Sequence, residues 1–145
     1  MESTDQQILA LLARDGRMSY TDIGRETGLS TSAAQQRVRR LEQRGVITGY
    51  RALVNPEALG KLLTAFIEIR AMDPALEDDI PERVQDLDEV ISCYSVAGDA
   101  SHLLVVQVGT PQDLESLLGR IRTAAHVTTK TTLVLSIPFE DRPLV

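Results

Sequence analysis

The sequence predicts an α+β protein in two parts, three helices followed by alternating strands and helices. Residues 1–54 carry apolar side chains at helical spacing, with glycines where helices should end. Beyond Asn55-Pro56, alternating and β-branched runs are separated by amphipathic stretches. Eight arginines and six carboxylates give residues 1–54 a net charge of +2, while seven basic and fifteen acidic side chains give residues 55–145 a net charge of −8. This asymmetry indicates two parts with different roles.

The overall composition favours a globular protein over a disordered, membrane-spanning or secreted one. An apolar fraction of 43% is enough for a packed core. No apolar run approaches the roughly 20 residues that span a bilayer, and Met-Glu-Ser-Thr-Asp does not begin like a signal peptide. The single cysteine, Cys93, cannot form an internal disulfide. We therefore expect a cytoplasmic protein with no membrane partner.

The first two helices are predicted from the capping residues at their starts and the glycines at their ends. Asp5 is expected to cap a helix that carries Ile8 and Leu9 and stops at Gly16. Ser19 followed by Asp22 resembles a capping box, and it opens a short helix that ends near Gly28.

The third helix has an apolar face and a basic face. Ser30 is its predicted cap and Gly45 its stop, with Ala34, Val38 and Leu41 pointing inward. The opposite side, an arc of about 100°, carries Ser32, Gln36, Arg39, Arg40 and Gln43.

A short helix, a glycine turn and this basic helix together predict a helix-turn-helix that binds double-stranded DNA. Arg pairs with guanine edges and Gln with adenine edges in the major groove, while amides beside the capping serine suit a phosphate. Arg37 and Arg44 flank the face and have either a structural or a DNA-binding role. The alternative for the whole helix is an ordinary solvated basic surface. The candidate DNA-binding residues are Ser30, Thr31, Ser32, Gln35, Gln36, Arg39, Arg40 and Gln43.

The second part is predicted to have the order β-α-β-β-α-β, the ferredoxin-like arrangement. Residues 46–54 are interpreted as a strand or an extended linker, which gives expected domains of 1–47, 48–60 (linker) and 61–145. The predicted elements are a strand around 65–70, a helix at 81–87, strands at 90–96 and 103–108 joined by a turn at 98–101, a helix from Pro111, and a strand at 127–137. Helices on one face leave the other sheet face uncovered, which predicts dimerisation.

These residues resemble the Lrp/AsnC (feast/famine) family of transcription regulators over nearly the whole chain. The resemblance rests on an ordered series at family-like spacing: Asp5 with Ile8-Leu9, Gly16-Arg17, Leu29-Ser30, Arg37-Val-Arg-Arg-Leu-Glu42, Gly45-Val-Ile47, Gly49-Tyr50, Asn55-Pro56, Val96-Ala-Gly98, Leu103-Leu104, and Val127 with Thr132. It implies a winged-type helix-turn-helix joined by a strand to a ferredoxin-like (RAM) domain that binds an effector. It also implies regulation of amino-acid metabolism, dimers, and an octamer built as a tetramer of dimers.

The resemblance further implies a small amino-acid effector bound between dimers near residues 98–102. The implied effector-binding residues are Gly98, Asp99, Ala100, Ser101, His102 and Thr132. Family members often have an Asp followed by an aromatic residue where this chain has Ser101 and His102, so Asp99 is an alternative partner for a ligand ammonium. Without the resemblance, the turn needs no ligand, His102 is an ordinary surface residue, and Thr132 only favours a strand.

Other function classes have less support in the sequence. A nucleophile elbow, a phosphate-binding glycine run and a Ser/His/Asp set are lacking, so we expect no enzyme. Two histidines and one cysteine do not have metal-ligand spacing, and we expect neither a metal nor a cofactor. An architectural protein that compacts DNA with little sequence preference remains the alternative to a regulator.

Overall fold

The computed structural model describes residues 1–145, which divide into two compact units. The first unit contains Met1–Leu53 together with Pro138–Val145, and the second contains Val54–Ile137. We expected the second part to continue to residue 145, whereas residues 138–145 pack with the first unit. There the Arg14 guanidinium donates to the carbonyl oxygen of Val145 at 2.9 Å. No helix of the structure combines the length and the apolar character needed to cross a membrane.

The first unit is built from three helices, α1 (Ser3–Arg14), α2 (Tyr20–Thr27) and α3 (Thr31–Gln43). Its small core confirms the predicted inward face of α3 and adds one isoleucine from each of the other helices. The buried residues are Ile8, Ile23, Ala34, Val38 and Leu41.

The prediction that Asp5 caps α1 is wrong. The helix begins at Ser3, and Asp5 lies inside its first turn, 9% exposed. Its carboxylate pairs with a distant arginine instead of a backbone amide of the first turn.

Of the two interpretations of residues 46–54, a strand or an extended linker, the strand is not formed. These residues lie in bends and irregular backbone without strand pairing, and the first unit contains no strand that could form the wing of a winged-type helix-turn-helix. A strand requires a neighbouring ladder for its N–H and C=O groups, and this single chain offers none to the linker. Two short 3₁₀ helices, Pro56–Leu59 and Pro74–Asp79, flank the first strand that does form.

The second unit confirms the predicted βαββαβ order. Its elements are β1 (Leu63–Ala71), α4 (Ile80–Val84), β2 (Val90–Ser95), β3 (His102–Val108), α5 (Pro111–Ala125) and β4 (Val127–Leu133). The sheet has the order β2-β3-β1-β4, and every neighbouring pair is antiparallel. The helix at 81–87 and the strand at 127–137 are shorter than predicted, ending at Val84 and Leu133.

The sheet has one covered face and one open face. Ala65, Ile67 and Ile69 of β1 are buried on the covered face, as their alternation predicted, and they share a core with residues of α4 and α5. The intervening Phe66, on the open face, is 40% exposed. The open face therefore carries apolar and charged side chains that no element of the second unit covers. Helix α5, which packs on the covered face, begins with a complete capping box between Thr110 and Asp113.

Candidate functional site

The turn between α2 and α3 brings the two helices into close contact. Helix α2 ends at Gly28, whose φ of 74° is the left-handed conformation that favours glycine. At Gly24 a Cβ would lie 2.5 Å from the carbonyl oxygen of Leu29, so the approach of the backbone requires glycine there. The hydroxyls of Thr21 and Thr31 meet at 3.3 Å across this junction. The end of α2 at Gly28 was predictable from the sequence, whereas the requirement for glycine at position 24 was not.

The N-terminus of α3 is capped as predicted. The Ser30 hydroxyl accepts a hydrogen bond of 3.1 Å from the amide of Ala33 and lies 3.3 Å from the Ser32 hydroxyl. Ser30, Thr31 and Ser32 are all exposed. Exposed first-turn amides at the positive end of a 13-residue helix suit a backbone phosphate.

The polar side of α3 faces solvent along its length. The predicted residues Gln36, Arg39, Arg40 and Gln43 are exposed, whereas Gln35 is half-buried. Neither Arg39 nor Arg40 takes part in an ion pair of the structure. The helix thus presents two free guanidinium groups and two amides on one surface, which we call the recognition face (Ser32, Gln36, Arg39, Arg40 and Gln43).

Arg37, whose role the sequence left open, is a structural residue. Its guanidinium donates to Glu2 at 2.8 Å and to Asp5 at 3.1 Å, which joins α3 to the start of α1. These two hydrogen bonds raise the pKa of Arg37 above its usual value. Because its charge is already matched by two carboxylates, Arg37 does not add to the basic recognition face. Arg44, at the C-terminal cap of α3, is exposed and makes no ion pair.

Tyr50, which was predicted to lie in the linker, belongs to the first unit and packs near Gly16. A Cβ at Gly16 would lie 3.6 Å from Cδ1 of the Tyr50 ring. Burial, together with the nearby Glu42 carboxylate and its hydrogen bond, raises the pKa of the Tyr50 phenol to about 12. The start of the linker is thereby tied to the C-terminal turn of α3.

In the second unit, the loop Val96–Ser101 between β2 and β3 is fastened to β1. The Arg70 guanidinium donates to the carbonyl oxygen of Asp99, with its Nε at 2.8 Å. The amide and the hydroxyl of Ser101 both donate to the carbonyl oxygen of Ile69, at 3.0 and 3.1 Å. At Gly98 the φ of 146° lies outside the range that other residues readily adopt.

A polar cavity of about 260 Å³ lies beside this loop, between β1 and β4. We call it the loop cavity. Of the predicted effector-binding residues, only Asp99 and Ala100 line it, and Gly98, Ser101, His102 and Thr132 do not. Its lining residues are Glu68, Ile69, Arg70, Asp99, Ala100, Thr128, Thr129 and Lys130.

Three charged residues that line the loop cavity were not among the predicted site residues, namely Glu68, Arg70 and Lys130. Glu68 and Lys130 are directly opposite each other in the β1–β4 ladder. The outward positions of Glu68 and Arg70 were readable from the alternation of β1. Their proximity to the loop was not, because it depends on which strands become neighbours.

His102 and Thr132, two of the predicted effector-binding residues, lie outside the loop cavity, one buried and the other exposed. His102 is only 6% exposed, which contradicts its interpretation as an ordinary surface residue, and its Nδ1 lies 3.1 Å from the Ser101 hydroxyl. Thr132 is exposed on β4 and pairs with Phe66, one outward position beyond Lys130.

Comparison with known proteins gives matches to both units. Residues 1–42 match the model of the AsnC-type helix-turn-helix domain, and residues 64–144 match that of the Lrp/AsnC ligand binding domain. The chain is 48% identical over 142 residues to the HTH-type transcriptional regulator LrpA of Mycobacterium tuberculosis, covering 98% of this chain and 95% of that protein. It is 35% identical over 149 residues to the leucine-responsive regulatory protein of Escherichia coli K12, covering 100% and 91%.

A solved structure agrees with this pattern. The feast or famine regulatory protein of M. tuberculosis, complexed with L-methionine, is 48% identical and superposes with a TM-score of 0.94. The match covers 97% of this chain and 96% of that one.

Proposed function

The chain belongs to the Lrp/AsnC family of transcription regulators, and from that premise we propose that it regulates genes of amino-acid metabolism by sequence-specific binding to double-stranded DNA. The observation that carries the proposal is the recognition face of α3, which is capped, exposed and free of internal ion pairs. A cytoplasmic location and a regulatory, non-catalytic role are parts of the same proposal.

Each polar group of the recognition face has a distinct task in this proposal. Ser32 and Gln36 lie toward the N-terminal half of α3, the end that usually meets base edges. Arg39 and Arg40 follow one and two positions after the buried Val38, and each guanidinium can bind a guanine edge or a phosphate. The Ser30 hydroxyl occupies the amide of Ala33, and the amides of Thr31 and Ser32 remain to bind the DNA backbone.

Selection from a random duplex pool, followed by titration at one salt concentration, tests the DNA-binding proposal. We expect the selected site to bind roughly 10³-fold more tightly than random DNA. Arg39→Ala should weaken that binding by about 1–3 kcal/mol if Arg39 reads a base. Arg83→Ala, on α4 of the second unit, is the matched control and should have no effect.

The outcomes of this titration separate the alternatives. A wild-type ratio near one identifies an architectural DNA-compacting protein and overturns sequence-specific regulation. An equal loss for Arg39→Ala on selected and random DNA makes Arg39 a phosphate contact instead of a base reader.

We also propose that a small amino acid is the effector and that it binds in the loop cavity. An amino acid carries both an ammonium and a carboxylate, and the cavity has two acids, Glu68 and Asp99, and two bases, Arg70 and Lys130. Neither Glu68 nor Lys130 takes part in an ion pair of the structure. L-methionine, which binds the 48% identical M. tuberculosis protein, is the first ligand to test.

A thermal-shift screen of the twenty amino acids, followed by calorimetry, tests the effector proposal. We expect at least one amino acid to stabilise the wild-type chain, since a ligand that binds only the folded state raises its melting temperature. Glu68→Gln and Asp99→Asn should weaken binding by roughly ten- to hundredfold, the range for hydrogen bonds to charged groups. Glu115→Gln, an exposed change on α5, should not. Unchanged affinity in both cavity variants contradicts this location.

The open sheet face supports the further proposal of a dimer, with octamers as tetramers of dimers. Phe66 of β1 and Tyr94 of β2 are 40% and 53% exposed, although both lie in the regular sheet. Apolar side chains exposed on a sheet are typical of an interface. Light scattering should give a mass of at least twice the 15.9 kDa of one chain. Phe66→Glu should lower the measured mass. A monomeric wild-type chain at micromolar concentration contradicts the proposal.

A further inference from the structure

Ser101 and His102 lie where the loop between β2 and β3 enters β3, and hydrogen bonds connect the pair to β1. The Ser101 hydroxyl lies 3.1 Å from the carbonyl oxygen of Ile69 and 3.1 Å from Nδ1 of His102. A carbonyl oxygen can only accept, so the one hydroxyl hydrogen of Ser101 is donated to Ile69. The Ser101 oxygen is then an acceptor toward His102, whose Nδ1 must carry the hydrogen.

These contacts form a directed chain of hydrogen bonds, His102 Nδ1–H to the Ser101 hydroxyl and from there to the Ile69 carbonyl. The chain is shielded, since His102 is 6% exposed and Ser101 is half-buried. The Ile69 carbonyl also accepts the Ser101 amide at 3.0 Å, so both of its lone pairs are occupied by one residue. The Ser101 amide and hydroxyl thus fix one end of the loop Val96–Ser101 to β1.

The same loop supplies Asp99 and Ala100 to the loop cavity, whereas Ser101 and His102 do not line it. We propose that Ser101 and His102 are positioning residues, which hold Asp99 and Ala100 against β1 and do not contact the effector. The Arg70 guanidinium, which donates to the Asp99 carbonyl, provides the second fastening point. The role in effector binding rests on the proposed function, while the fastening of the loop does not depend on it.

Positioning and direct contact predict different behaviour of the ligand-free protein. Removing a positioning hydroxyl loosens the loop before any ligand is added, and it weakens ligand binding as a consequence. Removing a contact hydroxyl weakens ligand binding and leaves the ligand-free loop unchanged. Hydrogen–deuterium exchange of residues 97–100 in the full chain, without ligand, therefore distinguishes the two roles.

The variants are Ser101→Ala, which removes the hydroxyl, and Ser101→Thr, which retains it. Loss of one hydrogen bond from the loop should speed its exchange by about three- to tenfold in Ser101→Ala, and Ser101→Thr should restore the wild-type rate. Ser92→Ala, also half-buried in the same sheet, is the control and should exchange like the wild type. The ¹⁵N shifts of the His102 ring should identify the Nδ1–H tautomer in the neutral wild-type protein.

Affinity for L-methionine, or for the strongest ligand of the amino-acid screen, completes the test. We expect Ser101→Ala to weaken it several-fold and Ser101→Thr to restore it. Unchanged exchange in Ser101→Ala, or an Nε2–H tautomer, overturns the positioning role. If the wild type binds none of the twenty amino acids, the effector proposal fails, while the exchange and tautomer results still decide whether the pair fastens the loop.

Discussion

The two units of this protein are stabilised in different ways. The first packs five buried apolar residues between three helices, whereas the second buries twelve between a four-stranded sheet and its helices. A core of five side chains contributes less hydrophobic free energy, so the first unit depends more on specific polar and steric features. These features are the Ser19 and Ser30 caps, the close turn at Gly24 and the Arg37 ion pairs.

The two units also differ in what their functional sites require from the fold. The recognition face needs only one helix held at the correct angle on its two neighbours, and most of its contacts are local. The loop cavity instead needs three segments, from β1, the β2–β3 loop and β4, to be in register. A large core under the cavity provides that register. Single substitutions should therefore affect folding more in the first unit and ligand geometry more in the second.

The strongest test of this comparison is Gly24→Ala in α2. The new Cβ would lie 2.5 Å from the Leu29 carbonyl oxygen, and the backbone must move to relieve the overlap. We expect a loss of about 1–3 kcal/mol in the stability of the first unit, with weaker DNA binding. Urea unfolding, with hydrogen exchange to localise the change, is the measurement.

The matched control is Gly119→Ala in α5, where an added Cβ meets nothing within 4 Å. Alanine should stabilise that helix by about 0.5–1 kcal/mol. If the two substitutions have the same effect, the close turn is not a special requirement of the first unit.

A second test concerns the ion pairs of Arg37. Asp5 is 9% exposed, so Asp5→Asn removes the more buried of the two charges that pair with Arg37 and should lower the melting temperature of the first unit. Glu2→Gln removes the other carboxylate, whose side chain is 72% exposed, and should have a smaller effect. The opposite order of the two melting temperatures would contradict the structural role of Asp5.

The smallest effect is expected for a polar contact of the second unit, the pair of Glu89 and Arg120. The hydrogen bond from Arg120 holds the pKa of Glu89 below its usual range. A carboxyl with a lowered folded-state pKa stabilises the protein above its unfolded-state pKa, and this contribution is lost as the pH falls through the folded-state value. Glu89→Gln should therefore cost about 0.5 kcal/mol at pH 7, and this cost should shrink as the pH is lowered.

The measurement for this pair is urea unfolding at several pH values. Glu115→Gln serves as the control because Glu115 is exposed on α5 and takes part in no ion pair. A cost for Glu89→Gln that stays constant down to pH 2 would contradict a charged-state origin.

Features that depend on neighbouring residues were predictable from the sequence. The caps at Ser19 and Ser30 involve an amide three residues later, and the structure confirms both. The burial of Val38 and of Ile67 follows from helical and strand periodicity within one element. The βαββαβ order was likewise predictable, because each element has its own pattern of apolar residues.

Features that depend on distant partners were not predictable. Asp5 was interpreted as a cap because its partner, Arg37, is far along the chain. Residues 46–54 were open to interpretation as a strand or an extended linker, and they form no strand because no ladder is available to them within the chain. Glu68 and Lys130 become neighbours only through the β1–β4 register. The burial of His102 and the hydrogen bond from the Ser101 hydroxyl to the Ile69 carbonyl likewise depend on the pairing of β1 with β3.

Residues 138–145 have a consequence for how the protein is made. They belong to the first unit, where Arg14 contacts Val145, but they are synthesised after the entire second unit. During translation the three helices can therefore collapse early, as N-terminal segments generally do. Their unit acquires its final segment only when the sheet that follows has been translated. The translation of the DNA-binding part of this chain is thus divided in two by the translation of the second unit.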